Sequence, residues 1–299
     1  MVRLLGDRPI PPRRPGAFDH GDVHLPTGRI FVTHTSEGTV EVLDPWPLKH
    51  RTSILGCQEG SGLLCLPGRD QVVAASRATG KLLLISAKTL TTIRSFVVGD
   101  RPNGLAWDPN RERLLVADVG TPRGRLVDVS TGKVVTEVDL PGRPRWCVYD
   151  GPTSSFFLCI RDPPSLLVLD STDLSTRTSH AVPAQGPHGL AIDPVARRAF
   201  VATDDAKLVV LSMKDGEVQK VLPLSGPPDV VWHDHRAHRL YVTIGEPGCI
   251  DIFDTSTFEK LESARTQGGA HTSALDPTRG FLYAFLPQQC ASLAMSLSP

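Results

Sequence analysis

Apolar residues along the chain fall into short runs, and residues that favour turns bound each run. Clear examples are residues 113–117, 207–211 and 249–253. Runs of about four to six apolar positions between Gly, Pro, Asp and Asn are typical of β-strands, whereas an amphipathic helix repeats its apolar positions every three or four residues. Glycine and proline contribute 26 residues each, which agrees with many tight turns. The pattern predicts numerous short strands and no periodic helix.

The runs belong to a repeat. Residues 101–118 read RPNGLAWDPNRERLLVAD, and residues 186–203 read GPHGLAIDPVARRAFVAT, so the two segments match almost position by position. With Asn103 as the reference, the positions predicted to be equivalent are His20, Ser61, Asn103, Arg145, His188, Pro228 and His271. They are 40 to 43 residues apart. A period of this length is typical of β-propellers.

Each unit contains four predicted strands, which is the content of one propeller blade. The chain is therefore predicted to be all-β, a single seven-bladed propeller domain over residues 1–299 with four-stranded antiparallel blades. The seventh unit contains only three predicted strands. Residues 2–5 form a short apolar segment before the first unit, and we expect them to supply the outer strand of blade 7. This pairing would close the ring and leave no open sheet edge.

The second strand of each unit carries a recognisable motif. Residues 30–33, 114–117, 200–203 and 240–243 have similar sequences, and Tyr241-Val242-Thr243 reproduces three of the four letters of the YVTN motif. The chain thus resembles the YVTN-type β-propeller family over all seven units. The resemblance implies a seven-bladed propeller, a fold that serves enzymes, ligand binders and recognition surfaces alike.

Two unit starts show a more local resemblance. Pro187-His188-Gly189 and Ala270-His271 are similar to the histidine-bearing blade starts of streptogramin lyases, which are seven-bladed propellers that use histidines and magnesium. Propeller lactonases are a further similar group. These resemblances imply a hydrolase or lyase whose site lies at the mouth of the central channel.

Composition narrows the range of partners. Lys plus Arg and Asp plus Glu both number 32, so no net charge attracts nucleic acid or an anionic membrane, and we expect neither as a partner. The N-terminal segment lacks the apolar core of a secretory signal, and the six cysteines form no CxxC pair. We expect a cytoplasmic protein with reduced thiols. No glycine-rich phosphate loop is present, so no nucleotide cofactor is predicted.

The strongest chemical signal is the ring of reference positions, because the first strand of a blade is innermost and its start lies at the mouth of the channel. His20, His188 and His271 share this ring. Three imidazoles around an axis could bind a divalent metal, Zn or Fe, or the Mg that the lyase resemblance implies, with one position open to water. Alternatively they could act without metal as general acid and base. A third possibility is that they bond only to water and to one another.

Further candidates lie beside this ring. The ends of the second strands reach the same face, at His34, Ser76, Asp118, Ile160, Thr203, Ile244 and Phe285. His34 joins the catalytic candidates, and Asp118 could bind substrate or cap its loop. Arg145 and Arg161 could bind a carboxylate or phosphate through the two-point geometry of guanidinium. The predicted substrate-binding set is Ser61, Asn103, Asp118, Arg145 and Arg161.

A second histidine cluster, His233, His235 and His238, resembles a metal tract. It falls in the turn between the first and second strands of its unit, on the opposite rim, so surface histidines are the favoured interpretation. Two functions follow from the mouth residues. One is a hydrolase or lyase acting on a small molecule, and the other is a non-enzymatic propeller that binds a peptide, a protein or a small ligand on the same face.

Overall fold

The computed structural model describes residues 2–12 and 14–297. These residues form twenty-eight strands, and their only helical segment is the 3-10 turn Arg77–Thr79. The strands form seven four-stranded antiparallel sheets, arranged as the blades of a propeller. The predicted all-β, seven-bladed fold is confirmed. No helix in the described part of the chain is both long and apolar enough to cross a membrane.

The strands follow one another outward in each of the first six blades. Blade 1 contains β2 (Phe18–His24), β3 (Arg29–His34), β4 (Thr39–Asp44) and β5 (Lys49–Leu55). Blade 2 contains β6 (Gly60–Cys65), β7 (Gln71–Ser76), β8 (Lys81–Ser86) and β9 (Thr92–Val97). Blade 3 contains β10 (Pro102–Asp108), β11 (Arg113–Asp118), β12 (Arg123–Asp128) and β13 (Lys133–Asp139).

The remaining blades repeat this order. Blade 4 contains β14 (Pro144–Asp150), β15 (Ser155–Ile160), β16 (Ser165–Asp170) and β17 (Thr176–Ala181). Blade 5 contains β18 (Pro187–Asp193), β19 (Arg198–Thr203), β20 (Lys207–Ser212) and β21 (Val218–Pro223). Blade 6 contains β22 (Pro228–Asp234), β23 (Arg239–Ile244), β24 (Cys249–Asp254) and β25 (Lys260–Arg265). Blade 7 contains β26 (Ser273–Asp276), β27 (Phe281–Leu286), β28 (Ala291–Leu297) and β1 (Val2–Pro9).

Strand β1 closes the ring as predicted. It pairs with β28 in antiparallel register, from Val2 opposite Leu297 to Pro9 opposite Ala291. The closing strand is longer than the predicted segment 2–5. Blade 7 is thus assembled from both ends of the sequence, and its outer edge strand is the first strand of the chain.

The hydrophobic core lies between neighbouring blades. Phe18 of blade 1, for example, packs against Phe285 of blade 7, with the ring centroids 5.7 Å apart. Similar clusters join each blade to the next, and all six cysteines are buried thiols. Every blade therefore buries apolar side chains against its neighbours, and the inner strands, where the mouth residues begin, are packed into this core.

The inner strands of blades 1 to 6 contain a β-bulge near their start. In blade 3, Pro102 pairs with Asp118 while Gly104 pairs with Ala117, so one residue is extra. In blades 1 and 6 the extra residue lies between Phe18 and Gly21 and between Pro228 and Val231. A bulge interrupts the alternation of side chains and turns consecutive residues toward one side. The mouth therefore receives more side chains than a regular strand would supply.

This pairing corrects the predicted ring. Phe18, Pro102 and Pro228 each face the last residue of their second strand, so they are structurally equivalent. The residues that follow them are Asp19, Asn103 and Asp229, and the equivalents predicted for blades 1 and 6, His20 and Pro228, are wrong. The corrected ring is Asp19, Ser61, Asn103, Arg145, His188, Asp229 and His271, spaced 41 to 43 residues apart.

The ring at the ends of the second strands needs one correction. In each second strand the last residue pairs with the first residue of the third strand, as His34 does with Thr39. In blade 7 this residue is Leu286, which pairs with Ala291, and not Phe285.

Glycines bring neighbouring blades close together at the ring. A Cβ atom on Gly62 would collide with the carbonyl oxygen of Asn103, and a Cβ on Gly104 would collide with that of Arg145. Gly189 has the same relation to Asp229. The missing side chain lets the ring residue of the next blade approach the axis. These glycines therefore set the positions of Asn103, Arg145 and Asp229.

Candidate functional site

A polar cavity of about 450 Å³ opens at the mouth of the channel. Four arginines, two aspartates and two histidines contribute to its wall. The lining residues are Asp19, His20, Arg77, Arg101, Asn103, Val119, Arg143, Arg145, His188 and Asp229. The predicted candidates His20, Asn103, Arg145 and His188 come together here. Positive groups outnumber carboxylates, so the cavity suits an anionic ligand.

Asp19 and His20 form a hydrogen-bonded pair in this cavity. Asp19 Oδ1 lies 2.5 Å from His20 Nδ1, and Arg77 Nη2 donates to Asp19 Oδ2 over 2.9 Å. Burial by itself would raise the pKa of Asp19, but the hydrogen bond and charge of His20, with the charge of Arg77, hold it below the ordinary value. Asp19 is thus an anion that receives Nδ1–H of His20. Nε2 of His20 is then the nitrogen that can accept a proton.

The His20 ring stacks on Trp146. The ring centroids are 4.1 Å apart and the ring planes differ by 12°. His20 comes from blade 1 and Trp146 from blade 4, so the contact reaches across the ring. Trp146 also lines a second cavity of about 380 Å³ on the other side, where Trp107 and Trp232 join it. The stacked pair therefore lies between the polar mouth and this aromatic lower cavity.

His188 lies between two carboxylates. Its Nδ1 is 2.8 Å from Asp204 Oδ1, and its Nε2 is 3.2 Å from Asp229 Oδ1. Burial lowers the pKa of His188, but the charge of Asp229 and the hydrogen bonds that His188 donates to both carboxylates outweigh it and raise the pKa to about 9. His188 is consequently a cation at neutral pH. The pKa of Asp229 is lowered in turn, chiefly by His188 against the effect of burial.

Arg145 is a half-buried cation in the wall of the mouth cavity. Its Nε atom is buried and has no hydrogen-bond partner among the residues that the structure describes. Burial lowers the pKa of the guanidinium, against the attraction of Asp229. A buried donor without a partner is costly, and a bound carboxylate or phosphate would satisfy it. Arg145 therefore marks the point where an anion would bind.

The other predicted binding residues have structural partners. Asn103 Oδ1 accepts from Arg77 Nη2 over 2.5 Å, at the cavity wall. Ser61 is fully buried and donates to the carbonyl oxygen of Pro102 over 2.8 Å, away from the cavity. Arg161 pairs with Asp204 over 2.8 Å, so it reaches His188 only through that carboxylate.

Asp118 organises its loop. Its carboxylate accepts from the backbone N–H groups of Asp100 and Arg101 over 2.7 and 3.0 Å, and from Arg125 Nη1 over 2.6 Å. It is fully buried and does not line the cavity. The geometry corresponds to the loop-cap alternative, and a substrate-binding part for Asp118 stays a prediction.

His34 lies in the core between blades 1 and 7. Its side chain is 0% exposed, stacks on Phe18 at 4.4 Å and lies 3.3 Å from Glu41 Oε1. Glu41 also accepts from Thr39, His50 and Ser53, and these hydrogen bonds, with that of His34, lower its pKa to about 2 against the effect of burial. His34 contributes nothing to the cavity wall. Its catalytic part stays a prediction that this geometry does not favour.

The mouth histidines do not converge on one point. Both ring nitrogens of His188 face carboxylates, and His271 Nδ1 donates to the carbonyl oxygen of Gly269 over 2.9 Å. Within the described ranges, only Asp193, His233 and His235 bring three donor atoms to metal-binding distances. The donor arrangement of the mouth thus does not fit a metal centre. A Zn, Fe or Mg ion on His20, His188 and His271 stays a prediction.

Sequence reasoning missed Asp19 and Asp229 as mouth residues. The signal was present in the spacing, since both lie about 42 residues from the next ring position, but the bulges hid the correct register. Arg101 and Arg143 were also missed. They too share a repeat position, immediately before the first strands of blades 3 and 4.

Comparison with known proteins agrees with the fold. No model of a known protein family matches the chain, and no curated protein matches it. Among solved structures, the chain is similar to hydrazine synthase from Kuenenia stuttgartiensis, with a TM-score of 0.85 and 14% sequence identity over 97% of both chains. At this identity the similarity shows the fold and not a shared activity. The chain is thus a seven-bladed β-propeller with a structural neighbour that belongs to an enzyme, and YVTN membership stays a prediction.

Proposed function

We propose that the protein is a small-molecule enzyme of the hydrolase or lyase type that acts on a substrate with a carboxylate or phosphate group. The observation that carries the proposal is that one polar cavity is lined both by the Asp19–His20 pair and by Arg145, whose buried Nε has no hydrogen-bond partner among the described residues. An oriented imidazole and a free guanidinium supply the two things such chemistry needs, a proton acceptor and an anion clamp.

In this proposal the substrate anion binds Arg145 at the cavity wall. Nε2 of His20 removes a proton, from water in a hydrolase or from a carbon atom of the substrate in a lyase. Asp19 holds Nδ1–H of His20 and stabilises the imidazolium that forms. His20 then returns the proton to the leaving group, so that the enzyme is restored.

His188 contributes a fixed positive charge rather than a mobile proton. Because Asp204 and Asp229 hold both of its nitrogens, its proton is not released at neutral pH. A preorganised cation beside the substrate stabilises negative charge that develops during reaction. Because the same two carboxylates engage both ring nitrogens, His188 has no nitrogen available to bind a metal ion.

Anion binding tests the first half of the proposal. Inorganic phosphate and succinate are titrated calorimetrically into wild-type protein, Arg145→Met and, as a matched control, Arg94→Met on the outer strand β9. We expect Arg145→Met to weaken binding by about 10-fold or more, because the clamp is lost. Arg94→Met is expected to bind like the wild type. Absence of anion binding to the wild type would contradict the proposal.

Turnover tests the second half. A panel of carboxylate and phosphate esters, lactones and β-elimination substrates is assayed with wild type, His20→Gln and His180→Gln, the last a histidine of the outer strand β17. We expect His20→Gln to reduce kcat by about 100-fold while phosphate affinity stays within about 3-fold of the wild type. His180→Gln is expected to leave both unchanged.

A non-enzymatic binding protein is the second candidate. The observation that favours it is the engagement of both His188 nitrogens by carboxylates, which leaves this mouth histidine without a nitrogen to transfer a proton. Phosphate binding that depends on Arg145, together with no turnover on any member of the panel, would support this candidate.

A further inference from the structure

Three polar side chains meet on the rim opposite the mouth. Asp193 ends β18 in blade 5, and His233 and His235 lie at the end of β22 and in the following turn of blade 6. Asp193 Oδ1 is 3.6 Å from His235 Nδ1, and Asp193 Oδ2 is 3.9 Å from His233 Nε2. Each residue offers one donor atom, and the three donor atoms lie within 4.8 Å of one another.

His233 has the orientation of a metal-binding imidazole. Its side chain is 4% exposed, and its Nδ1 donates to the carbonyl oxygen of Ile192 over 3.2 Å. That hydrogen bond leaves a lone pair on Nε2, and Nε2 is buried without a hydrogen-bond partner in the described part of the chain. Histidines that bind metals commonly donate their second ring N–H to a backbone carbonyl in this way.

The group facing His233 cannot satisfy that lone pair. Asp193 is a carboxylate, so two electron-rich groups face each other over 3.9 Å with no donor between them. A small cation between Nε2 and the carboxylate would satisfy both groups.

The other two side chains are placed to complete such a site. Asp193 Oδ1 accepts from the backbone N–H groups of Val195 and Ala196, each over 3.0 Å, and this turn fixes the carboxylate while Oδ2 points to His233. His235 is 49% exposed, so an ion can enter from solvent on its side. His233 is therefore buried, Asp193 is fixed by its turn, and His235 is accessible to solvent.

We infer that Asp193, His233 and His235 form a binding site for a divalent transition-metal ion, with Zn²⁺ as the reference ion. Two donor atoms that each lie about 2.1 Å from one ion can be at most about 4.2 Å apart, so three donor atoms that lie within 4.8 Å of one another would have to move together by about 0.6 Å at most. Two imidazole nitrogens and one carboxylate oxygen suit this class of ion. The remaining coordination positions face solvent and take water.

Calorimetric titration of Zn²⁺ into metal-stripped full-length protein tests the site. We expect one Zn²⁺ per chain in the wild type, and affinity lowered by about 10-fold or more in His235→Ala and Asp193→Asn. Asparagine keeps an oxygen that accepts the two turn N–H groups, so Asp193→Asn removes the anionic ligand without removing the turn. His238→Ala, in the same turn, and His271→Ala, at the mouth, are expected to bind Zn²⁺ within about 3-fold of the wild type.

Substitution of Co²⁺ gives a second readout, because ligation by nitrogen and oxygen produces visible absorption bands that His235→Ala should weaken. The inference is overturned if the wild type binds no Zn²⁺, or if His235→Ala and Asp193→Asn bind it as the wild type does. It is also overturned if all histidine variants lose affinity equally, which would indicate scattered surface histidines. Phosphate binding at the mouth is expected to be unchanged in His235→Ala, so this test is independent of the proposed function.

Discussion

His188 shows how neighbouring charges can reverse the chemistry that a residue type suggests. A histidine on the ring was predicted to bind metal or to transfer protons, and both tasks need a free nitrogen. The flanking carboxylates of Asp204 and Asp229 occupy both nitrogens and keep the ring protonated. The sequence identifies the histidine, but it does not identify its partners, because Asp204 lies in another loop and Asp229 lies in another blade.

The protonated state of His188 makes stability depend on pH. Its pKa is about 9 in the folded chain, against 6.5 for an ordinary histidine, so it stabilises the fold fully below pH 6.5 and this contribution is lost as pH rises through 9. The contribution is on the order of 3 kcal/mol. We therefore predict that the difference in free energy of unfolding between wild type and His188→Gln is large at pH 6 and small at pH 9.5.

Urea unfolding at the two pH values measures this difference. His238→Gln, an exposed histidine on the opposite rim, serves as the control and should differ little from the wild type at either pH. A gap between wild type and His188→Gln that does not change with pH would show that the two carboxylates do not hold the proton.

At the scale of the element, the start of an inner strand can combine a bulge with a close approach to the next blade, as it does in blade 3. The bulge turns Asp19 and His20 to the mouth together, and Gly104 allows the backbone of Arg145 to approach. Side chains at the mouth are therefore positioned by backbone geometry. Periodicity of two cannot predict this, because one additional residue in a strand reverses the direction of every side chain that follows.

We predict that Gly104→Ala displaces Arg145. The added Cβ would collide with a backbone oxygen, which has no rotamer to adopt, so the blades must separate. We expect a loss of stability of about 1–3 kcal/mol, together with weakened phosphate binding. The control is Gly124→Ala on β12, where the nearest atom to the new Cβ is a side-chain carbon of Val138 at 3.5 Å.

Thermal unfolding and phosphate calorimetry on both variants measure these losses of stability and affinity. Gly124→Ala should resemble the wild type in both measurements. If Gly104→Ala kept full stability and full affinity, the proposed link between blade spacing and the clamp would be incorrect.

At the scale of the whole molecule, closure joins the two ends of the sequence in one sheet. Strand β1 covers the edge of β28, whose Ala294 and Met295 are fully buried. The backbone N–H of Val2 also donates to Glu262 of blade 6 over 2.9 Å. The closing strand therefore stabilises its own blade and the neighbouring one.

Deletion of residues 2–9 is predicted to lower the melting temperature by about 5 °C or more and to promote aggregation, because an unpaired strand edge is exposed. The double variant Arg3→Ala, Asp7→Ala retains the backbone pairing and should melt close to the wild type. Calorimetric melting with light scattering compares the three proteins. A monomeric truncated protein that melts at the wild-type temperature would contradict the role assigned to β1.

The fold could be predicted because it is encoded seven times. An error of one residue in one unit, such as the copy around Pro228, does not change the number of blades, and closure follows from counting strands. The site is encoded once. Arg77 lies in the 3-10 turn after β7, and Asp204 lies in the loop after β19. Their contacts with Asp19 and His188 depend on the individual conformation of each loop and not on the repeat. Periodic reasoning therefore found the mouth and the ring, but not the charge pairs that determine its chemistry.

The stack of His20 on Trp146 determines how the two cavities along the axis are separated. Because the two rings meet across the axis, they lie between the polar mouth cavity and the lower cavity lined by Trp107 and Trp232. A ligand deep in the mouth would therefore contact the stack from one side, and a molecule in the lower cavity would contact it from the other.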